Sequence, residues 1–215
     1  MSKRFYITTA IDYVNGEPHL GHAYEKVITD VIARVHQALG EEVFFLTGLD
    51  EHGQKVEAAA LANGRSAQEY CDDLSETWQA FARKLNLTNA DFVRTTSAAH
   101  KKVVQAVLAK LEKTDHFYRE KYSGSYSTKQ EQFLTDQDRQ PDGSFGPQWG
   151  EVMELEEENY NFKMGAHQQW LIDHIEANPE FIQPDYRRNE VLGFLKNNDL
   201  GDLCSSRPKE RLSWG

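Results

Sequence analysis

The stretch from Phe5 to Thr47 constrains the fold more than any other part of the chain. Phe5 to Ala10 (FYITTA) is a β-branched and aromatic run that reads as a strand. Tyr24, Val27, Ile28, Val31, Ile32, Val35, Ala38 and Leu39 then recur at helical spacing, with Gly40 as the stop. Val43 to Thr47 (VFFLT) is a continuous apolar run, the pattern of a strand covered on both faces. Strand, helix and strand in this order make a βαβ unit, which requires a parallel sheet and a right-handed crossover. The expected class is therefore α/β.

Between the first strand and the helix lies a turn-rich stretch, Asp12 to Pro18, with Asn15-Gly16 and Glu17-Pro18. Beyond the second strand, a helix from Gln54 to Asn63 ends at Gly64. Ser66 and Glu69 form a capping box for a longer helix with Tyr70, Leu74, Trp78, Phe81 and Leu85 on one face. Phe92-Val93-Arg94 reads as a short strand, and Ser97 caps a helix carrying Val103, Val104, Val107, Leu108 and Leu111. From Phe117 the helical periods give way to Tyr, Ser, Gly and charged residues, and Asp136 to Gly150 is loop-like. Strands are expected at Phe117 to Tyr122, Val152 to Leu155 and Tyr160 to Met164, as an inserted β-rich module. Helical periods return at Trp170, Leu171, His174 and Ile175 and at Val191, Phe194 and Leu195. The domains expected are 1–116, an insertion over 117–164, and 165–215 as a return to the first.

Charge and composition exclude several classes. The net charge of −10, from 24 basic and 34 acidic residues, is wrong for a general nucleic-acid coat, although a local basic patch stays open. No apolar run is long enough to span a membrane, and the one near the N-terminus is too short for a signal peptide. Two cysteines, Cys71 and Cys204, far apart in the chain, fit a reducing compartment and exclude a disulfide scaffold or a multi-cysteine zinc knuckle. An apolar share of 39% is a little low for a self-contained domain and hints that some surface expects a partner or more chain.

The chemistry-bearing residues gather after the two parallel strands, where open α/β sheets bind ligands. After the first come Tyr13 to His22, and after the second Gly48-Leu49-Asp50-Glu51-His52-Gly53. His19 and His22 fall in the first turn of the helix, beside free N–H groups at the positive end of its dipole, a place that suits phosphate. Gly21 between them lets a planar ligand approach the backbone. Asp50 could hold an ammonium group. Two plainer readings stand beside these. The histidines could be capping or surface residues, or His19, His22, Glu25, Asp50 and His52 could ligate a metal.

The ordered series Ala10-Ile11-Asp12-Tyr13-Val14-Asn15-Gly16-Glu17-Pro18-His19-Leu20-Gly21-His22 resembles the His-x-Gly-His signature of class I aminoacyl-tRNA synthetases. With Phe44 to Lys55 following, it is similar to the methionyl-tRNA synthetase family. Further matches are Arg94-Thr95-Thr96, Glu157 to Tyr160, His174 to Pro179, Arg187 to Val191 and Arg207 to Gly215, so the likeness covers nearly the whole chain. The resemblance implies a Rossmann-like catalytic domain with a connective-peptide insertion, and a cytoplasmic ligase acting in protein biosynthesis. Methionine and ATP, with Mg2+, would give methionyl-adenylate, and the methionyl group would pass to the methionine tRNA. His19 and His22 would be catalytic, binding ATP together with Gly21 and Glu25. Ala10, Ile11, Tyr13, Asp50 and Arg207 would bind methionine.

Three departures from the family qualify this. Where relatives open a zinc knuckle with Tyr-Cys-x-x-Cys, this chain has Tyr126-Ser127-Thr128-Lys129-Gln130, so no zinc is expected. Asp12 stands where relatives have Tyr or Pro, either as a solvent-facing turn residue or as a charge that disturbs the pocket. The chain stops at Trp214-Gly215, before the expected lysine loop (Lys-Met-Ser-Lys-Ser), so it reads as an N-terminal piece, inactive alone. The alternatives are another class I synthetase of the subgroup (for cysteine, leucine, isoleucine or valine) and a non-catalytic paralogue binding ATP, tRNA or a protein. A metal-dependent hydrolase built on His19, His22 and His52 is a third. No oligomeric state follows from the sequence.

Overall fold

The structure, a computed structural model, describes residues 3–209, Leu212 and Trp214. Of the match at Arg207 to Gly215, residues 210, 211, 213 and 215 lie outside the described residues. The chain divides into two compact units, Met1–Val107 with Lys209–Gly215, and Leu108–Pro208.

The first unit contains β1 (Arg4–Thr8), β2 (Asp12–Tyr13), α1 (Leu20–Ala38), β3 (Glu42–Asp50), α2 (Gln54–Ala62), α3 (Ala67–Lys84), β4 (Asp91–Arg94) and most of α4 (Ala98–Leu111). All strand pairings are parallel and all run through β3. Leu46 is flanked by Thr8 and Asp91, and Leu49 by Asp12 and Arg94. β1 and β2 therefore share one edge of β3, and β4 takes the other. This is a parallel, Rossmann-like half-sheet.

The turn-rich stretch after β1 differs from expectation at its start, where Asp12 and Tyr13 are strand. Between the Thr8–Leu46 and Asp12–Leu49 pairs, the β1–β2 side carries one more residue than β3. Such an extra residue bends the strand and re-aims its side chains. It seats Tyr13 opposite Asp50.

Helix α1 forms where its apolar period predicts, yet the opposite face is buried. Val27, Ile28, Val31, Ile32 and Val35 are exposed, and Ala23, Lys26, Thr29, Asp30 and Ala33 pack inward. The inward polar groups have partners. Lys26 pairs with Asp12. Thr29 Oγ1 donates to the Glu25 carbonyl at 3.0 Å. Asp30 accepts from Arg34 Nε at 2.6 Å and from both Thr88 N and Oγ1 at 2.7 Å. Strand β3 also differs from the doubly covered strand expected. Phe45, Thr47, Gly48 and Leu49 are buried, but Phe44 is exposed and meets exposed Tyr6 with ring centroids 5.9 Å apart.

The core of this unit is Val14, Leu49, Val56, Cys71 and Trp78, with Tyr13, Tyr70, Leu74, Phe92 and Trp214 against it. The capping box of α3 is formed: Glu69 N donates to Ser66 Oγ at 3.3 Å and Ser66 N to Glu69 Oε2 at 3.0 Å. Ser97 Oγ accepts from His100 N at 3.2 Å at the start of α4.

The second unit is built on an antiparallel sheet of β5 (Phe117–Ser127), β6 (Gln132–Phe133), β7 (Val152–Phe162) and β8 (Leu203–Cys204), in the order β6-β5-β7-β8. Helices α5 (Gln168–Ala177) and α6 (Asp185–Asn197) pack around Ile172, Ile175 and Leu195. The two strands expected at Val152–Leu155 and Tyr160–Met164 are one continuous β7. The acidic run between them hides the strand because its partners are polar. Lys121 faces Glu158, and the Arg119 guanidinium lies over the Tyr160 ring and bonds its hydroxyl. Cross-strand pairs of this kind stabilise a sheet without an apolar face.

Candidate active site

Two histidines close the N-terminus of α1 on each other. His19 is the N-cap, and its Nδ1 accepts from Gly21 N at 3.1 Å. His22 Nδ1 accepts from His19 N at 3.1 Å. Each Nδ1 is therefore used as an acceptor for a backbone N–H. A neutral imidazole that accepts at Nδ1 carries its proton on Nε2. The pair thus holds two Nε2–H donors at the positive end of a helix, the charge pattern that favours an anion. The rings stack with centroids 3.7 Å apart. Gly21 leaves room for this packing, since a Cβ there would lie 3.0 Å from His19 Cε1 and press on the ring.

Trp78 on α3 steadies the arrangement. Its ring meets His22 edge-on at 4.7 Å, and its Nε1 donates to the Gly16 carbonyl at 3.2 Å, tying down the turn before α1. Glu25 reaches back to the end of β1, where its Oε1 accepts from Ala10 N at 2.9 Å. Partial burial pushes the His22 pKa below the ordinary value. Asp12 pulls it up, His19 and Lys26 push it further down, and Glu25 pulls it up.

Asp12 is the residue whose position most revises the sequence reading. The solvent-facing alternative is wrong. Asp12 is 7% exposed, one oxygen pairs with Lys26 Nζ, and Oδ1 lies 3.9 Å from His22 Nε2. It is strand and not turn, and the pleat directs it under α1.

The end of β3 forms the second half of the site. Asp50 is half-buried, and burial raises its carboxyl pKa; His52 and His100 oppose this and Glu51 adds to it. The Tyr13 hydroxyl sits against Gly53, where a Cβ would collide with it and where φ is +148°, so only glycine fits. Glu51 points the other way and is fully buried. Its Oε1 accepts from Arg94 Nε at 2.7 Å, its Oε2 from the Thr96 hydroxyl, and its N–H donates to Thr95 Oγ1 at 3.0 Å. Arg94 also bonds Asp72 at 2.6 Å. His52 stacks obliquely on Trp214 at 5.1 Å, and its Nε2 is buried without a hydrogen bond among the described residues. An open cavity beside the strand ends is lined by Thr8, Thr9, Ile11, Leu46, Thr47 and Val93.

β2 brings these parts together: Asp12 faces His22, and the next residue, Tyr13, is in register with Asp50. Arg207, the other expected site residue, lies in a different compact unit of the chain. It belongs to the second unit, where its Nη1 bonds Cys204 Sγ at 3.1 Å and the Ser206 carbonyl at 2.7 Å. Lys26 and the Glu51–Arg94–Thr96 cluster went unassigned in the sequence. Lys26 could have been found from its place four residues after His22, on the same helix face. No group of three or more His, Cys, Asp or Glu side chains among the described residues is placed to hold a metal ion.

Residues 5–143 match the model of the family described as tRNA synthetases class I (M). The chain belongs to this family. Similar relatives include the methionine--tRNA ligases of Rhizobium meliloti, 44% identical over 98% of this chain and 41% of the relative, and of Deinococcus radiodurans, 45% identical over 99% of this chain and 32% of the relative. Among solved class I (M) structures, Mycobacterium tuberculosis methionyl-tRNA synthetase bound by methionyl-adenylate is similar with a TM-score of 0.86 at 39% identity, over 95% of this chain and 41% of that one. The chain thus spans about two fifths or less of the length of these relatives.

Proposed function

We propose that this chain supplies the adenylate-forming floor of a methionine--tRNA ligase, with ATP (as its Mg2+ complex), methionine and the methionine tRNA as substrates. The observation that carries the reading is the pair of Nε2–H donors held by His19 and His22 at the start of α1, joined to Asp50 through the neighbouring β2 residues Asp12 and Tyr13. In the reaction, a methionine carboxylate oxygen attacks the α-phosphorus of ATP and the bond to the bridging oxygen breaks. Pyrophosphate leaves with the bonding electrons. His19 and His22 donate to phosphate oxygens as negative charge builds there. Donors already in place cost no reorganisation at that moment. Gly21 leaves room for the adenine against the backbone. Glu25 acts by holding Ala10. Ala10, Ile11 and Tyr13 border the methionine, and the Asp50 carboxylate takes its ammonium.

Residues 117–164 are the connective-peptide insertion, without structural zinc. Ser127 and Gln130 support this by bonding as a polar turn: Ser127 Oγ donates to the Trp149 carbonyl at 2.5 Å and accepts from Gln130 N at 3.0 Å, and Gln130 Nε2 donates to the Gln148 carbonyl at 3.0 Å. Hydroxyl and amide groups are poor zinc ligands. No described helix is long and apolar enough to cross a membrane; the ligase reading itself places the work in the cytoplasm.

The test is methionine-dependent exchange of labelled pyrophosphate into ATP by the protein that carries this chain. Replacing His22 by Asn, which withdraws one preorganised donor, is expected to slow exchange by about 100- to 1,000-fold. Exchange driven by cysteine, leucine, isoleucine or valine in place of methionine would move the protein to another branch of class I. No exchange with any amino acid would leave only a binding paralogue.

A further inference from the structure

Lys26 has no part in the reaction above, yet it is 1% exposed and its ammonium is committed to one oxygen of Asp12. A buried ion pair is a weak source of stability, because desolvation offsets most of the attraction. Its placement points to another use. The second Asp12 oxygen lies 3.9 Å from His22 Nε2. That is too long for a hydrogen bond but close enough for a strong field. Nδ1 of the same ring is already taken by His19 N. Asp12 therefore faces the proton-bearing nitrogen without consuming its donor. Lys26 sits behind the carboxylate and also lies 5.7 Å from the centre of the Trp78 ring that packs on His22.

We propose that Asp12 and Lys26 are a positioning pair that keeps His22 a neutral Nε2–H donor: Asp12 holds the proton on Nε2, and Lys26 cancels enough of the carboxylate charge to keep the ring from becoming an imidazolium. The charged and titratable groups that face His22 are Asp12 from β2 and His19, Glu25 and Lys26 from its own helix or cap. Trp78 from α3 is uncharged, and Glu25 is engaged with Ala10 N. Among these groups, Asp12 and Lys26 form an ion pair. With Lys26 neutral, the full carboxylate would draw the Nε2–H into an ion pair, and a phosphate oxygen would have to compete for it.

This proposal rests on the ligase reading for its purpose, but its first test does not. Nitrogen-detected NMR of the His22 ring is expected to show the Nε2–H tautomer at neutral pH. Lys26→Met is expected to raise the His22 pKa by about one unit or more, the size expected for an opposite charge at this range. Asp12→Asn is expected to lower it, Lys26→Arg to restore it, and Asp12→Asn with Lys26→Met to return it toward the parent value. Should Lys26→Met fail to fold, Asp12→Asn and Lys26→Arg carry the test. The second test is the pH profile of pyrophosphate exchange, whose acid limb should move to higher pH in Lys26→Met in step with the ring titration. A His22 titration that ignores Asp12 and Lys26 would overturn the proposal. A titration that moves as expected, in a protein whose exchange does not need His22, would support the positioning pair and overturn the ligase reading instead.

Discussion

Glu51 and Asp50 are adjacent carboxylates with opposite fates, set by which way the strand end directs them. Glu51 is turned inward and fully buried against Arg94, Thr95 and Thr96. A buried charge stripped of one partner is costly, so Glu51→Ala is expected to lose about 3–5 kcal/mol of stability, read by urea unfolding. A loss below about 1 kcal/mol would show that the bond from Arg94 to Asp72 suffices on its own. Asp50 is half-buried with its pKa raised, chiefly by burial. In the proposed role, the ammonium of methionine needs the carboxylate form. Affinity is therefore full above the Asp50 pKa and falls as pH drops through it, at a higher pH than an ordinary carboxylate would require. Calorimetric titration of methionine across this range should show the fall, and Asp50→Asn should bind weakly with no such dependence. A pH-independent affinity in the unaltered protein would remove Asp50 from the ammonium site.

At the scale of elements, the helical period of α1 was legible but its inward face was not. Periodicity reports where apolar residues align, and the core usually lies there. Here the inner face carries Lys26, Thr29 and Asp30, each matched to a partner from its own turn or from another element. The deciding partners of Lys26 and Asp30, Asp12 and Thr88, lie on other segments of the chain, so no local pattern announces them. The polar turn of the insertion is a second case. Ser127 is fully buried, donates to the Trp149 carbonyl and accepts from Gln130 N. Ser127→Ala leaves the Gln130 N–H without that acceptor and is expected to cost about 1–3 kcal/mol. Hydrogen exchange should quicken over 127–130 and 146–151 while β7 stays protected near Phe162. Stoichiometric zinc by elemental analysis would show that the hydrogen-bonded turn is not what closes this module.

For the whole molecule, the exposed valines and isoleucines of α1 and the unpaired second edge of β1 among the described residues matter most. An apolar helix face and an open parallel edge are both association hazards. A polypeptide of these 215 residues alone is expected to self-associate at micromolar concentration by light scattering, and Val31→Lys with Val35→Glu to reduce this. The same polypeptide covers 41% of its Rhizobium meliloti relative. On the ligase reading, each preorganised donor of the expected lysine loop would contribute about 2.7–4 kcal/mol. Its methionine-dependent exchange is therefore expected to run more than about a thousandfold below that of a version extended through that loop. Equal rates would mean that these residues already hold a complete site.

The sequence by itself determined the βαβ order, the helix caps at Ser66 and Ser97, the position of His19 and His22 at a helix start, and the family. These rest on spacing within a few residues or on an ordered motif, which local chemistry enforces. Only the tertiary structure decided that Asp12 is buried strand, that Lys26 neutralises it, that α1 turns its valines outward, and that Glu157 and Asn159 sit inside one unbroken β7. Each of these depends on a charge or hydrogen-bond partner brought in from a distant part of the chain. A polar side chain is stable in the interior only when such a partner arrives, and the pairing exists only once the strands are in register.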